Sequence, residues 1–123
     1  MGKLLIIEDD PILRETLAEI LEFWGHIVIQ AENGEEGVKM FSESLPDLLI
    51  CDINMPKMNG FQVLKKIKTL VSGSQLPPFM FLSAKTTPQN IKDGLDLGAV
   101  DFVSKPYSAV KLLKLIELRL KNK

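Results

Sequence analysis

Three acids in a row, Glu8, Asp9 and Asp10, follow the apolar residues 4–7, and a fourth, Asp52, directly follows the apolar residues 48–51. Ser83 closes a later apolar run, and Lys105 closes the one after that. Taken singly, most have an ordinary explanation. Asp10 before Pro11 reads as a helix cap, a serine at a strand end satisfies local backbone groups, and a lysine is usually solvated. Asp52 differs, because an acid completing so apolar a run is desolvated unless something compensates it. Capping also needs one carboxylate, whereas the first run supplies three beside a fourth. Carboxylates converging within a few ångströms must take up protons or bind a cation. Oxygen donors with no histidine or cysteine cluster favour a hard divalent ion, Mg²⁺ or Mn²⁺, over zinc. Such an ion and an ammonium flanking an ionised aspartate suit phosphoryl transfer. Asp52 is then the nucleophile, Glu8 and Asp9 serve the ion directly or through water, Ser83 donates a hydrogen bond, and Lys105 neutralises phosphoryl oxygens.

These residues are far apart in the chain, so a fold must gather them. Residues 3–7, 27–31, 48–51, 79–82 and 100–103 are apolar or β-branched runs of strand length. Helical spacing fills the intervals: Leu13, Leu17, Ile20, Leu21 and Trp24; Val38 and Phe41; Val63, Leu64, Ile67, Leu70 and Val71; Ile91, Leu95 and Leu97; Leu112, Leu113, Ile116 and Leu120. Asp10-Pro11 and Gly25 bracket the first helix. Asn33-Gly34 opens the second, with Glu35 and Glu36 in its first turn, and Gly98 closes the fourth. Strands this apolar are expected to be buried on both faces, as in a parallel sheet covered by helices. The architecture predicted is a doubly wound α/β sandwich of five parallel strands. In it every strand ends on one side and ligands sit beyond those ends, which is where four of the five runs place their polar residues. The longest irregular connection, residues 72–78, is a loop rather than a linker.

Composition narrows the partners. A chain of 123 residues, 46% hydrophobic and 25% charged, is expected to form a single domain over residues 1–123. A formal charge of −1 implies no overall positive field for nucleic acid or an anionic membrane. The apolar stretch before Glu8 is too short for a signal-peptide core or a membrane span, so a cytoplasmic location is expected. One cysteine and one histidine make neither a disulfide nor a zinc site. Cys51 beside Asp52 on a strand points to the opposite face and reads as inert core; Met55 and Met58 read as packing, Lys65, Lys66 and Lys68 as a solvated face, and His26 has no assigned role.

With these residues in place the sequence resembles the receiver domain of bacterial two-component response regulators, the CheY-like superfamily. The resemblance is carried by Leu4-Leu5-Ile6-Ile7-Glu8-Asp9-Asp10, by residues 47–56 around Asp52, by Asn59-Gly60, by Phe81-Leu82-Ser83-Ala84 and by Lys105-Pro106. It implies a flavodoxin-like (βα)5 fold with strand order 2-1-3-4-5. It implies that Asp52 accepts a phosphoryl group from a histidine kinase or phosphotransfer protein, with Glu8 and Asp9 as the acidic pair that holds Mg²⁺. Asn54 then lends its backbone carbonyl to the ion. Ser83 matches the switch hydroxyl, Ala84 offers a backbone N–H to the phosphoryl group, Lys105 binds it, and Phe102 is the aromatic that turns inward. The Lys105-Pro106 bond is expected to be cis. Phosphorylation is expected to alter the face of the fourth helix, fifth strand and fifth helix toward a downstream protein target or a fused output domain, in a monomer or a weak phosphorylation-dependent dimer.

Departures are modest. Ser83 replaces the more frequent Thr, Phe102 lacks the hydroxyl of the frequent Tyr, and Lys85 has a functional reading over the phosphoryl group beside its solvated one. On this reading the chain catalyses only its own phosphorylation and dephosphorylation. Two other functions compete: a Mg²⁺-dependent phosphohydrolase with Asp52 as nucleophile, and a flavin-binding protein of the same topology. The first wants a second aspartate where Asn54 stands. The second wants a phosphate cradle where Glu8, Asp9 and Asp10 would repel phosphate.

Overall fold

The computed structural model describes residues 2–72, 75–84 and 86–121. Gly73 and Ser74 of the long loop, and the reading placed on Lys85, lie outside the described residues. Strand and helix alternate five times: β1 (Lys3–Ile7), α1 (Pro11–Phe23), β2 (Ile27–Ala31), α2 (Gly34–Ser44), β3 (Leu48–Asp52), α3 (Gly60–Lys68), β4 (Phe79–Ser83), α4 (Pro88–Asp96), β5 (Asp101–Ser104) and α5 (Ala109–Lys121). All four pairings are parallel, in the order β2-β1-β3-β4-β5. The strand order and helix alternation match the expected flavodoxin-like sandwich.

Alternation along each strand sorts the core into two layers. Leu5, Ile7, Leu49, Cys51, Phe79 and Phe81 face one way, toward Phe41 of α2 and Val63, Leu64 and Ile67 of α3. Leu4, Ile6, Leu48, Ile50, Met80 and Leu82 face the other, toward Leu17 and Leu21 of α1 and Leu112, Leu113 and Ile116 of α5. Each such fully buried side chain contributes roughly 1.5–3 kcal/mol of transfer free energy, so the three central strands hold the sheet. The two outer strands depart from the expected two-sided burial: β2 and β5 are mostly half-buried, because each has a neighbour on one side alone.

The local signals act as their chemistry demands. Asp10 accepts from the backbone N–H groups of Ile12 and Leu13 at 2.9 and 3.2 Å, with Pro11 opening α1. Asn33 caps α2, and Asn59 caps α3 in a reciprocal box with Gln62. Gly25 and Gly98 adopt positive φ at 96° and 112°, closing α1 and α4. Two parts of the apolar pattern go elsewhere. Trp24 is the C-cap of α1 and 60% exposed rather than part of its buried stripe, and Leu95 of α4 is 46% exposed. α4 instead approaches the sheet through Gly94, where an added Cβ would lie 3.0 Å from Phe81 and 3.3 Å from Phe102.

His26, given no role by the sequence, is buried at the base of the sheet. Its Nδ1 accepts the Gly2 backbone N–H at 3.1 Å, and its Nε2 lies 3.6 Å from Oε1 of Glu117 on α5. It ties the start of β1 to the end of α1 and to α5.

Candidate functional site

The chain winds outward from β1 to β2, then reverses past β1 to β3, so the switch point lies between β1 and β3. Their register pairs Ile7 with Cys51, which brings the next residues, Glu8 and Asp52, side by side at the carboxyl ends of the strands. Asp52 shares the strand face of Ile50 and Leu48, toward α1 and α5, while Cys51 points into the opposite layer. Burial, with Asp52 and Glu8 nearby, pushes the Cys51 thiol well above its ordinary range, consistent with an inert core residue.

One carboxylate oxygen from each of Glu8, Asp9 and Asp52 lies within 4.8 Å of the others, a set able to hold a metal ion. Glu8 and Asp52 are buried and Asp9 is more open to solvent. Asp10 is absent from the cluster because its carboxylate caps α1. The Glu8 side chain is held at both oxygens: Oε2 accepts the Asp10 backbone N–H at 3.2 Å, and Oε1 accepts from Lys105 Nζ at 2.6 Å. Lys105 Nζ also lies 3.5 Å from Asp52 Oδ1. Burial raises the Glu8 pKa above its ordinary value; the Lys105 hydrogen bond opposes that and the charge of Asp52 adds to it. For Lys105 burial works against the charge, but the hydrogen bond it donates to Glu8 and the fields of Asp52 and Glu8 outweigh it and raise its pKa. Among the described residues, Lys105 contacts Glu8 and Asp52 while the cluster holds three carboxyl groups, an excess of negative charge that suits a cation.

The remaining residues line the approach. Ser83 ends β4 with no exposed surface, and its Oγ accepts from Asn54 Nδ2 at 3.5 Å. β4 and β5 pair Ser83 with Ser104, and the Lys105 N–H donates to the Ser83 carbonyl at 2.9 Å, which seats Lys105 over the site. The Lys105-Pro106 bond is cis, as expected. Ala84 is exposed beside the acids. Phe102 is half-buried, its ring 5.9 Å from that of Phe81 and tilted 51°. The loop after Asp52 is drawn in by Gly60, whose N–H donates to the Ile53 carbonyl at 2.9 Å; a Cβ there would stand 2.6 Å from the Asp52 carbonyl oxygen.

Two features of the site were not read from the sequence. Arg14 Nη1 donates to the Glu8 carbonyl at 2.9 Å and its Nε to Gln30 at 3.2 Å, tying β1's end to β2. A cavity of about 520 Å³ also opens beside Asp52 and Lys105, walled by Leu13, Leu17, Ile20 and Tyr107. Leu13 and Ile20 have core-like spacing, so periodicity alone could not separate a cavity wall from packed interior.

Fold and site together define a class of protein: a doubly wound sheet whose switch point holds clustered carboxylates, a hydroxyl and a lysine. The family model of the response regulator receiver domain matches residues 4–117. The chain belongs to the response regulator receiver domain family. It is 37% identical over 117 residues to the transcriptional regulatory protein DltR of Streptococcus agalactiae, covering 95% of this chain and 51% of that protein. The chain thus spans about half the length of that curated relative. Among solved structures, the chemotaxis protein CheY4 of Vibrio cholerae superposes with a TM-score of 0.89 at 29% identity, covering 97% of this chain and 98% of that one. The signal receiver domain of a signal transduction histidine kinase from Syntrophus aciditrophicus gives 0.88 at 33%, covering 99% and 92%. Neither the phosphohydrolase nor the flavin alternative is favoured by these relatives. Among the described residues no helix is long and apolar enough to cross a membrane.

Proposed function

We propose that this chain is a switch that takes a phosphoryl group onto Asp52 from a phosphohistidine of a histidine kinase or phosphotransfer protein, in a Mg²⁺-dependent reaction. The observation that carries the reading is the convergence of Glu8, Asp9 and Asp52 within 4.8 Å with Lys105 Nζ 3.5 Å from Asp52. Oxygen-only donors fit Mg²⁺, with Mn²⁺ as the other hard ion of this kind; Glu8, Asp9, Asp52 and the Asn54 carbonyl would hold it. When bound, the ion supplies charge neutralisation at phosphoryl oxygens.

This chain's own residues do the rest. An Asp52 carboxylate oxygen attacks phosphorus, an O–P bond forms, the P–N bond to the donor imidazole breaks, and its electron pair returns to the ring nitrogen. Lys105, already held cationic, turns from Glu8 toward the incoming phosphoryl group. Ser83 Oγ–H and the Ala84 backbone N–H donate to it. Drawing Ser83 toward the phosphoryl group leaves room beside Phe81 that Phe102 fills, and the face of α4, β5 and α5 changes with it. A ligand shifts such an equilibrium only by its differential affinity, so the contacts of Ser83 and Lys105 must be stronger in the switched form. The output is a changed preference for a downstream protein or a fused output domain, with residues 1–123 acting as one domain.

The test is incubation with Mg²⁺ and acetyl phosphate followed by intact mass. A gain of one phosphoryl group that is lost in Asp52→Asn, and lost on chelation, is the expected result. Uptake that persists in Asp52→Asn would overturn the assignment.

A further inference from the structure

At the end of the sheet opposite the acids, α1 closes with two aromatic residues in water. Phe23 is 86% exposed and Trp24 60%, their rings meeting edge to face at 6.4 Å, and Ile27 at the start of β2 is 53% exposed beside them. Nothing in the core requires this, since α1 already buries Leu17, Ala18 and Leu21. The exposed Glu19 and Glu22 stand one turn before and directly beside the pair. Nearby, α5 carries a surface groove of about 430 Å³ lined by Lys114, Glu117, Leu118, Leu120 and Lys121. Glu117 reaches within 3.6 Å of His26, two residues past Trp24, so knob and groove share the base of the molecule.

We propose that this base is a self-association surface, on which two copies of the chain pair about a two-fold axis. Phe23 and Trp24 of each copy enter the α5 groove of the other. Two observations fix the occupant. The groove is lined by Leu118 and Leu120 with Lys114, Lys121 and Glu117, apolar surface with two lysines against one glutamate, which suits an aromatic knob beside the exposed Glu19 and Glu22. Area selects the symmetric arrangement. At roughly 150–250 Å² per aromatic side chain, the exposures above leave ~300 Å² of aromatic surface on each chain. Two knobs and the two grooves that cover them bury about 1,200 Å², the lower edge of a stable interface, whereas a one-way contact buries about half that. Because knob and groove are neighbours, the two-fold contact closes at two chains. The strands put the base on the order of 15 Å from Asp52, so pairing leaves the acidic site open and needs no phosphate.

Trp24 is the only tryptophan, so its emission reports the contact directly. Sedimentation velocity of the full, unphosphorylated chain should show a monomer–dimer equilibrium with Kd on the order of 10 μM. The mass stops at two chains, with a blue shift of Trp24 as concentration rises. Raising NaCl from about 50 to about 500 mM should weaken it roughly tenfold. Phe23→Ser/Trp24→Ser and Lys114→Glu/Lys121→Glu, each checked for native circular dichroism, should be monomers at low salt. A wild-type chain that stays monomeric at about 500 μM, a dimer that survives loss of both aromatics, or one that survives Lys114→Glu/Lys121→Glu would overturn the proposal.

Discussion

Asp9→Asn separates the cost of the acidic cluster from its use. Two carboxylates whose oxygens lie within 4.8 Å repel by about 1 kcal/mol or more in bulk water and about 3.5 kcal/mol or more at an effective dielectric of 20. Asp9 takes part in two such pairs, with Glu8 and Asp52, and lies on the open side of the cluster, so the lower end of that range applies. Lys105, bound 2.6 Å from Glu8, offsets part of it. The net relief on neutralising Asp9 is about 1–2 kcal/mol, or roughly 4 °C in Tm per kcal/mol for a domain of this size. Without divalent cations Asp9→Asn should therefore unfold at higher urea than the wild type, with an unchanged m value. Mg²⁺ at roughly ten times its Kd adds about 1.4 kcal/mol to a chain that binds it. The wild type should gain that amount and Asp9→Asn little, so that the difference closes or reverses. Equilibrium urea unfolding with and without Mg²⁺ decides. A variant no more stable than the wild type in chelator, or a wild type indifferent to Mg²⁺, would refute the argument that unbalanced charge makes the site a cation receptor.

Further outcomes follow from the same geometry. Lys105→Ala removes the cation facing Glu8 and Asp52 and should cost about 1–3 kcal/mol at pH 7. Glu8 has a raised pKa, so its ionisation is a penalty that is absent below 4.5 and grows as pH rises through its folded value. The deficit of Lys105→Ala should therefore shrink between pH 7 and about pH 5, and an equal deficit at both would contradict it. Mg²⁺ affinity, titrated by calorimetry, should fall as pH is lowered through the raised Glu8 pKa, because a protonated carboxyl is a poor ligand. Gly60→Ala places a methyl 2.6 Å from the Asp52 carbonyl; it should cost about 1–3 kcal/mol in urea unfolding and slow phosphorylation at Asp52, and wild-type behaviour in both assays would remove Gly60 from the positioning of the loop. His26→Ala leaves the Gly2 N–H without its acceptor, an expected loss of about 1–3 kcal/mol, with hydrogen exchange at Gly2 and Ile27 as the local readout.

Much of this protein is written in local patterns. Runs such as Leu48-Leu49-Ile50-Cys51 state strand and burial together, and Asp10-Pro11, Asn33-Gly34 and Gly98 state where helices begin and end, because capping and left-handed turns depend on residues within a few positions. The gathering of Glu8, Asp52, Ser83 and Lys105 was legible too, since a parallel sheet sends every strand end to one side. What the sequence did not determine is which polar atom each acid serves. Asp10 and Asp9 are adjacent in the chain, yet Asp10 caps α1 and Asp9 joins Glu8 and Asp52. The pairing of Lys105 with Glu8, 97 residues away, depends on the order of β1, β3, β4 and β5 across the sheet. Likewise Trp24 continues the apolar spacing of α1 but lies past the last core layer, and His26 finds its partners on β1 and α5. Periodicity records where a side chain points relative to its own helix or strand; only the packed sheet settles whether anything stands there to meet it.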